Sequence, residues 1–337
     1  MKMIKKIIRI QEVLQMSNMI QNPNAKVILV GDGSVGSSFA FAMTLKGLGR
    51  ELGIIDVNTR KAQGDAMDLT AALTYNAAKT IYAAEYSDCS DADIVVLTAG
   101  APQKPGESRL DLVHKNLAIV KDVVEQIMDS GFNGIFLVAA NPVDILTYAV
   151  LKISGFPKER VISSGTSLDS ARFCDEIARY LELDPRDVSA SIMGEHGDTS
   201  FPLWSQASIG GRHLDKWLAD KTDDIEAAKE KIYTDVRDKA YNIIDAKGAT
   251  YYGVATVLAK ICRIIIGDSH SIITVGAYLD GEYGCKDIYM GTPVVLSRSG
   301  IQKVIEVPLN EKEQEQMDIS YKALKEVQDQ GMAKLGF

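Results

Sequence analysis

Short apolar runs alternate with longer stretches of helical period through the first half of the chain. Lys26-Val27-Ile28-Leu29-Val30, Leu52-Gly53-Ile54-Ile55, Thr80 to Ala84, Ile94-Val95-Val96-Leu97, Ile135-Phe136-Leu137-Val138 and Arg160-Val161-Ile162-Ser163 read as six strands. Near-continuous Val, Ile and Leu in runs of this length marks strands buried on both faces. Between them Ser37 to Leu48, Leu117 to Met128 and Val143 to Ile153 read as helices. Such alternation predicts an α/β fold with a doubly wound parallel sheet. The second half has a different texture. A long charged helix over Asp223 to Ala246 is followed by strand-like pieces at His270 to Leu279, Lys286 to Tyr289 and Pro293 to Ser297, with turns at Asp280-Gly281 and Ser299-Gly300. Asn310 to Gln330 reads as a charged C-terminal helix. No repeat, low-complexity tract or flexible linker separates the halves, so two domains are expected to share an interface that contains the active site.

Composition narrows the class of ligand. The 337 residues suit about two domains, and 46% hydrophobic content allows a large core. A net charge of −8, without a basic stripe interleaved with aromatics, points away from nucleic acid and from an anionic membrane. No window approaches the roughly 18 uncharged apolar residues that cross a bilayer. Cys89, Cys174, Cys262 and Cys285 are widely spaced with no Cys-x-x-Cys pair, which argues for free thiols and a cytoplasmic location. Residues 1–24 are expected to form an amphipathic arm. Arg9 and Glu12 interrupt its apolar run, so it lacks a secretory core, and Met16 and Met19 offer later starts.

The first strand ends in Gly31-Asp32-Gly33-Ser34-Val35-Gly36, a G-x-G-x-x-G run between a strand and a helix. Gly31 allows the tight turn, Gly33 a close approach of pyrophosphate, and Gly36 close packing of the helix whose amides face the phosphates. Asp56 ends the second strand twenty residues beyond Gly36, where a carboxylate accepts from a ribose diol and repels a 2′-phosphate. This Rossmann pattern over 25–165 favours NAD over NADP, although Arg60 and Lys61 stand nearby and Asp56 also reads as a turn or capping residue. Thr98-Ala99-Gly100-Ala101 and Ala139-Ala140-Asn141-Pro142 fall at the carboxyl ends of strands, the edge where open sheets bind ligands. Asn141 fits beside the nicotinamide and the substrate carbonyl, or serves only as an Asn-Pro turn.

The chemistry concentrates in two short runs. His196 lies in Gly194-Glu195-His196-Gly197-Asp198-Thr199, and Asp169 and Arg172 in Leu168-Asp169-Ser170-Ala171-Arg172. An imidazole exchanges a proton near neutral pH, a carboxylate fixes its tautomer, and an Arg clamps a substrate carboxylate bidentately. Pro102-Gln103-Lys104-Pro105-Gly106-Glu107-Ser108-Arg109 reads either as a loop carrying function, with Arg109 polarising a carbonyl and Gln103 meeting the far end of the substrate, or as a solvated surface loop. His114, His213 and His270 have no comparable setting and no metal-ligand spacing.

Together with Ala140-Asn141-Pro142-Val143-Asp144 and Lys247-Gly248-Ala249-Thr250, these motifs resemble, in order, those of the bacterial L-lactate dehydrogenases of the lactate/malate dehydrogenase superfamily, from about Lys26 to the C-terminus. The resemblance implies a mixed α+β substrate domain over 166–337 and reversible reduction of pyruvate to (S)-lactate by NADH in fermentative glycolysis. It also implies a homotetramer. His196 becomes the proton donor and acceptor, Asp169 its orienting partner, Arg109 the polarising group, Arg172 the carboxylate anchor, with Gln103, Asn141 and Thr250 completing the substrate pocket. The cofactor positions become Gly31, Gly33, Val35, Gly36, Asp56, Tyr86, Gly100, Ala101 and Asn141. Malate-specific relatives carry Arg where Gln103 stands, so a neutral side chain there disfavours a second substrate carboxylate. A branched 2-hydroxy acid dehydrogenase and a catalytically silent NAD-binding protein remain as alternatives. Relatives activated by fructose 1,6-bisphosphate carry Arg and His where this chain has Cys174 and Ser189, which predicts weak or absent activation.

Overall fold

A computed structural model describes residues 24–102, 109–334 and 336. The backbone opens as a strand and helix alternation: β1 (Lys26–Val30), α1 (Ser34–Leu45), β2 (Glu51–Ile55), α2 (Thr59–Ala71), β3 (Thr80–Ala83), β4 (Ile94–Leu97), α3 (Arg109–Asp129), β5 (Ile135–Val138), α4 (Val143–Ser154) and β6 (Val161–Ser163). These six strands pair in parallel in the order β6-β5-β4-β1-β2-β3. Every residue of β1, β4 and β5 is buried, which is why each reads as an unbroken apolar run. β1 has β2 on one side and β4 on the other, so the winding reverses there and opens a crevice at the carboxyl edge.

The rest of the chain does not build a separate large sheet. α5 (Ser167–Leu181) leads into short strands β7 (Val188–Ser189), β8 (Ile192–Met193), β9 (Phe201–Pro202), β10 (Ser208–Ile209) and β11 (Arg212–His213), then α6 (Leu214–Ala219), α7 (Ile225–Lys247) and α8 (Tyr252–Gly267). Three longer strands, β12 (Ser271–Asp280), β13 (Lys286–Ser297) and β14 (Gly300–Val304), follow, and α9 (Glu311–Ala333) closes the chain. β12 pairs antiparallel with β6 at Gly276 and Ser163, extending the parallel sheet to nine strands among the described residues.

Element ends depart from the sequence reading in places. α1 begins at Ser34 rather than Ser37, inside the glycine turn, and α3 begins at Arg109 rather than Leu117. The pieces Lys286 to Tyr289 and Pro293 to Ser297 form one strand. α2 and α8 had no counterpart in the expected elements. The four cysteines are free thiols, and no single described helix is long and apolar enough to cross a membrane.

Candidate active site

α5 brings its first turn to the mouth of the β8–β9 hairpin because the two are tied directly. Thr166 Oγ1 donates to the Ile192 carbonyl at 2.6 Å, and the Ile192 N–H donates to Ser170 Oγ at 2.9 Å. The hairpin loop carries His196, whose Nδ1 lies 2.8 Å from Asp169 Oδ2. Asp169 and Arg172 share one helix face at i, i+3, with Arg172 Nη1 3.5 Å from Asp169 Oδ1. Arg172 Nη2 also donates to Thr250 Oγ1 at 3.3 Å, which draws the connection between α7 and α8 to the same point. Four side chains from three separate stretches of chain thus converge.

The catalytic loop is held from behind as well. The His196 backbone N–H donates to Asp144 Oδ2 at 2.7 Å, and the Glu195 N–H donates to Ser320 Oγ of α9 at 2.8 Å. Gly194 exchanges backbone hydrogen bonds with Gly291 of β13. Its φ of +94° and the approach of Ser320 Oγ, 2.7 Å from where a Cβ would stand, require glycine.

Electrostatics favour a charged imidazole. Burial works against protonation of His196, but the Asp169 carboxylate, through its charge and its hydrogen bond, outweighs it, and the ring is raised to about 9 with help from Asp144 and against Arg172. Burial would push Asp169 up, yet the His196 ring and Arg172 hold it below the usual carboxylate range. With Nδ1 committed to Asp169, Nε2 is the nitrogen that can pass a proton to a ligand.

A second set of groups lines the crevice edge. A Cβ on Gly36 would stand 1.9 Å from the Gly31 carbonyl oxygen, and one on Gly31 would stand 2.5 Å from Ala99 N. Asp56 Oδ2 accepts the Asp32 N–H at 2.7 Å and Oδ1 the Asn58 N–H at 2.8 Å, so its carboxylate ties the glycine loop to the turn after β2. Asn116 of α3, buried, accepts from Ala101 N at 2.8 Å and donates to the Asn141 carbonyl at 2.7 Å. One amide therefore fixes the segments after β4 and β5 against each other.

Comparison with known proteins gives this arrangement a family. Residues 25–163 match the family model described as lactate/malate dehydrogenase, NAD binding domain, and residues 166–335 that of the lactate/malate dehydrogenase alpha/beta C-terminal domain. The chain belongs to the lactate/malate dehydrogenase family. It is 58% identical over 309 residues to L-lactate dehydrogenase 1 of Enterococcus faecalis, covering 92% of this chain and 94% of that protein. It is 56% identical over 319 residues to the L-lactate dehydrogenase of Lacticaseibacillus casei, covering 95% and 98%. The ligand-bound crystal structure of the minor L-lactate dehydrogenase from Enterococcus mundtii superposes with a TM-score of 0.88 at 41% identity, covering 91% of this chain and 98% of that one.

The cofactor of this lactate/malate dehydrogenase is NAD, and its glycine loop fits one. Gly31 and Gly36 are small because protein atoms crowd them, whereas a Cβ on Gly33 would meet nothing within 4 Å. Nothing in the protein itself demands glycine at Gly33, and the close approach of a pyrophosphate does. Lys61, a basic residue near the ribose position, is engaged: its Nζ lies 2.8 Å from Asp32 Oδ2 and 2.6 Å from Asp65 Oδ2. Tyr86 stands half-buried in a turn after β3, its hydroxyl pushed up by burial first and then by the carboxylates of Asp122 and Asp56.

The structure therefore brings together His196, Asp169, Arg172 and Thr250 in one cluster, and Gly31, Gly33, Val35, Gly36, Asp56, Gly100, Ala101 and Asn141 along one edge. Gln103 and the Arg109 side chain lie outside the described residues, as does the arm up to residue 23. Three supports escaped the sequence reading. Asp144 sat inside a quoted motif without a role, Asn116 inside an amphipathic helix, and Ser320 far off in the C-terminal helix. Only Asp144, an acid in the buried first two turns of α4, carried a signal.

Proposed function

We propose that this chain is an NAD-dependent L-lactate dehydrogenase that interconverts pyruvate and (S)-lactate. The observation that carries the reading is the His196–Asp169 pair with Arg172 on the same helix face, in a chain most of whose length matches proteins named for that activity. NADH, when bound, supplies a hydride to the carbonyl carbon. Arg172 holds the substrate carboxylate through a planar fork, a geometry that an ammonium does not match. Charge builds on the carbonyl oxygen, the family resemblance gives its stabilisation to Arg109, and protonated His196 delivers a proton there from Nε2. Lactate oxidation runs in reverse, with neutral His196 as base. Asp169 keeps the ring in the required tautomer and favours the imidazolium, so the oxoacid selects protonated His196 and the hydroxyacid the neutral form.

Gln103 supports pyruvate over oxaloacetate. A second carboxylate beside a neutral amide in a closed site would be desolvated without a counter-charge, at a cost of about several kcal/mol. The domain division follows the sequence reading: a Rossmann unit over 25–165 and a substrate unit over 166–337. We further infer a cytoplasmic homotetramer. Phe41 and Leu45 on α1 and Tyr252 on the adjoining α8 are half or more exposed, an apolar surface that suits assembly. Purified enzyme with NADH and pyruvate should oxidise NADH and release (S)-lactate in equal amounts. Release of the (R)-isomer, or no turnover, would defeat the reading.

A further inference from the structure

Asp144 is buried, and its two oxygens are treated very differently. Oδ2 accepts the His196 backbone N–H at 2.7 Å, while Oδ1 is buried with no hydrogen-bond partner among the described residues. Ser163 Oγ, at the end of β6, is likewise buried and unpartnered. Both oxygens border Gly276 of β12. A Cβ there would stand 1.8 Å from Ser163 Oγ and 3.5 Å from Asp144 Oδ1, so any side chain would close the space. An amide would satisfy the His196 N–H with less desolvation, because a buried carboxylate with a bare oxygen is costly. The negative charge, rather than the acceptor alone, is what this position supplies.

We propose that Asp144 is a second positioning carboxylate for the proton transfer, fixing the His196 backbone from behind while its charge, added to that of Asp169, holds the ring as imidazolium. This rests on the function proposed above. The charged groups that face the ring are Asp169 and Arg172 from α5 and Asp144 from α4, and Glu195 of the ring's own loop acts on Asp144. Ser163 and Gly276 bring polarity and space without charge. Burial raises Asp144 to about 7, and His196 stands at about 9. Asp144 is therefore ionised throughout the interval in which the ring titrates. Below about 7 it takes up a proton, and its pull on the ring fades.

Asp144→Asn keeps an acceptor for the His196 N–H and removes only the charge. The probe is diethyl pyrocarbonate, which modifies neutral imidazole, applied across pH to the full-length enzyme without substrate. His196→Asn supplies the background from His114, His213 and His270. The midpoint for His196 should fall by about one unit in Asp144→Asn, and the alkaline limb of kcat/KM for pyruvate should move with it. An unmoved midpoint with reduced turnover would make Asp144 merely structural and overturn the proposal. If the variant does not fold, the wild-type modification profile must still show a second inflection near 7, and a single inflection overturns it. Absence of pyruvate turnover in the wild type, together with a shifted midpoint, would instead refute the proposed function and leave the coupling intact.

Discussion

His196 Nδ1 and Asp169 Oδ2 lie 2.8 Å apart, although 27 positions of sequence and two different elements separate them. The pair sets both tautomer and charge. Asp169→Asn keeps the shape but lets the amide face Nδ1 in either orientation and removes the charge that raises the ring. It should lower kcat for pyruvate reduction by roughly two to four orders of magnitude while leaving NADH affinity nearly unchanged. In the wild type the sign of the pH dependence follows from the raised ring. Protonated His196 serves pyruvate, so its kcat/KM should hold at neutral pH and fall as pH rises through about 9, while lactate oxidation rises over the same interval. Parallel pH profiles in the two directions would contradict the assignment.

Gly33 and Gly36 should part company on substitution. A Cβ on Gly36 would stand 1.9 Å from a backbone oxygen, so Gly36→Ala should lower thermal stability markedly. A Cβ on Gly33 meets no protein atom, so Gly33→Ala should melt within a few degrees of wild type yet bind NADH roughly tenfold or more weakly. Calorimetry and a fluorescence titration with NADH read the two effects separately.

Arg172 bonds to Thr250 and pairs with Asp169, so its guanidinium is aimed before substrate arrives. Arg172→Lys keeps the charge and loses the fork. We expect kcat/KM for pyruvate to fall by roughly two orders of magnitude or more, mostly through KM. Steady-state kinetics that divide KM from kcat would show this, and a small change confined to kcat would count against a carboxylate anchor.

Cys174 sits half-buried on α5 with its thiol near the Val188 and Ala190 carbonyls, and Ser189 is exposed on β7. Neither offers a cation to a phosphate. Pyruvate saturation curves with and without millimolar fructose 1,6-bisphosphate should nearly superpose, and a large fall in KM would show that other residues bind the anion.

The parallel sheet was legible because burial on both faces writes an unbroken apolar run, and β1, β4 and β5 were read almost to the residue. α4 and α7 were read to within about two residues at each end, whereas α1 and α3 begin earlier than read. The first turns of α3 carry Leu110, Val113 and Leu117 at helical spacing, but Asp111, His114, Lys115 and Asn116 are interleaved with them and the polar run before Arg109 masks the start. α8 buries most of its circumference and leaves only a narrow exposed stripe of Tyr252, Thr256, Lys260 and Arg263, while α2 buries only Ala62, Ala66 and Leu69. The joining of β12 to β6 is a contact between distant segments that no local pattern encodes. Site residues that do chemistry stood in recognisable motifs. Asn116 and Ser320, which only hold others in place, looked like ordinary helix residues.

The most direct test of the central claim is the specificity constant for pyruvate, oxaloacetate and 2-oxoisocaproate, measured side by side by NADH oxidation on one preparation. Pyruvate should lead by about a hundredfold or more, the size of discrimination that an unpaired buried charge or a misfitting side chain produces. Oxaloacetate or the branched acid in the lead would contradict the reading of Gln103 and with it the assignment as an L-lactate dehydrogenase.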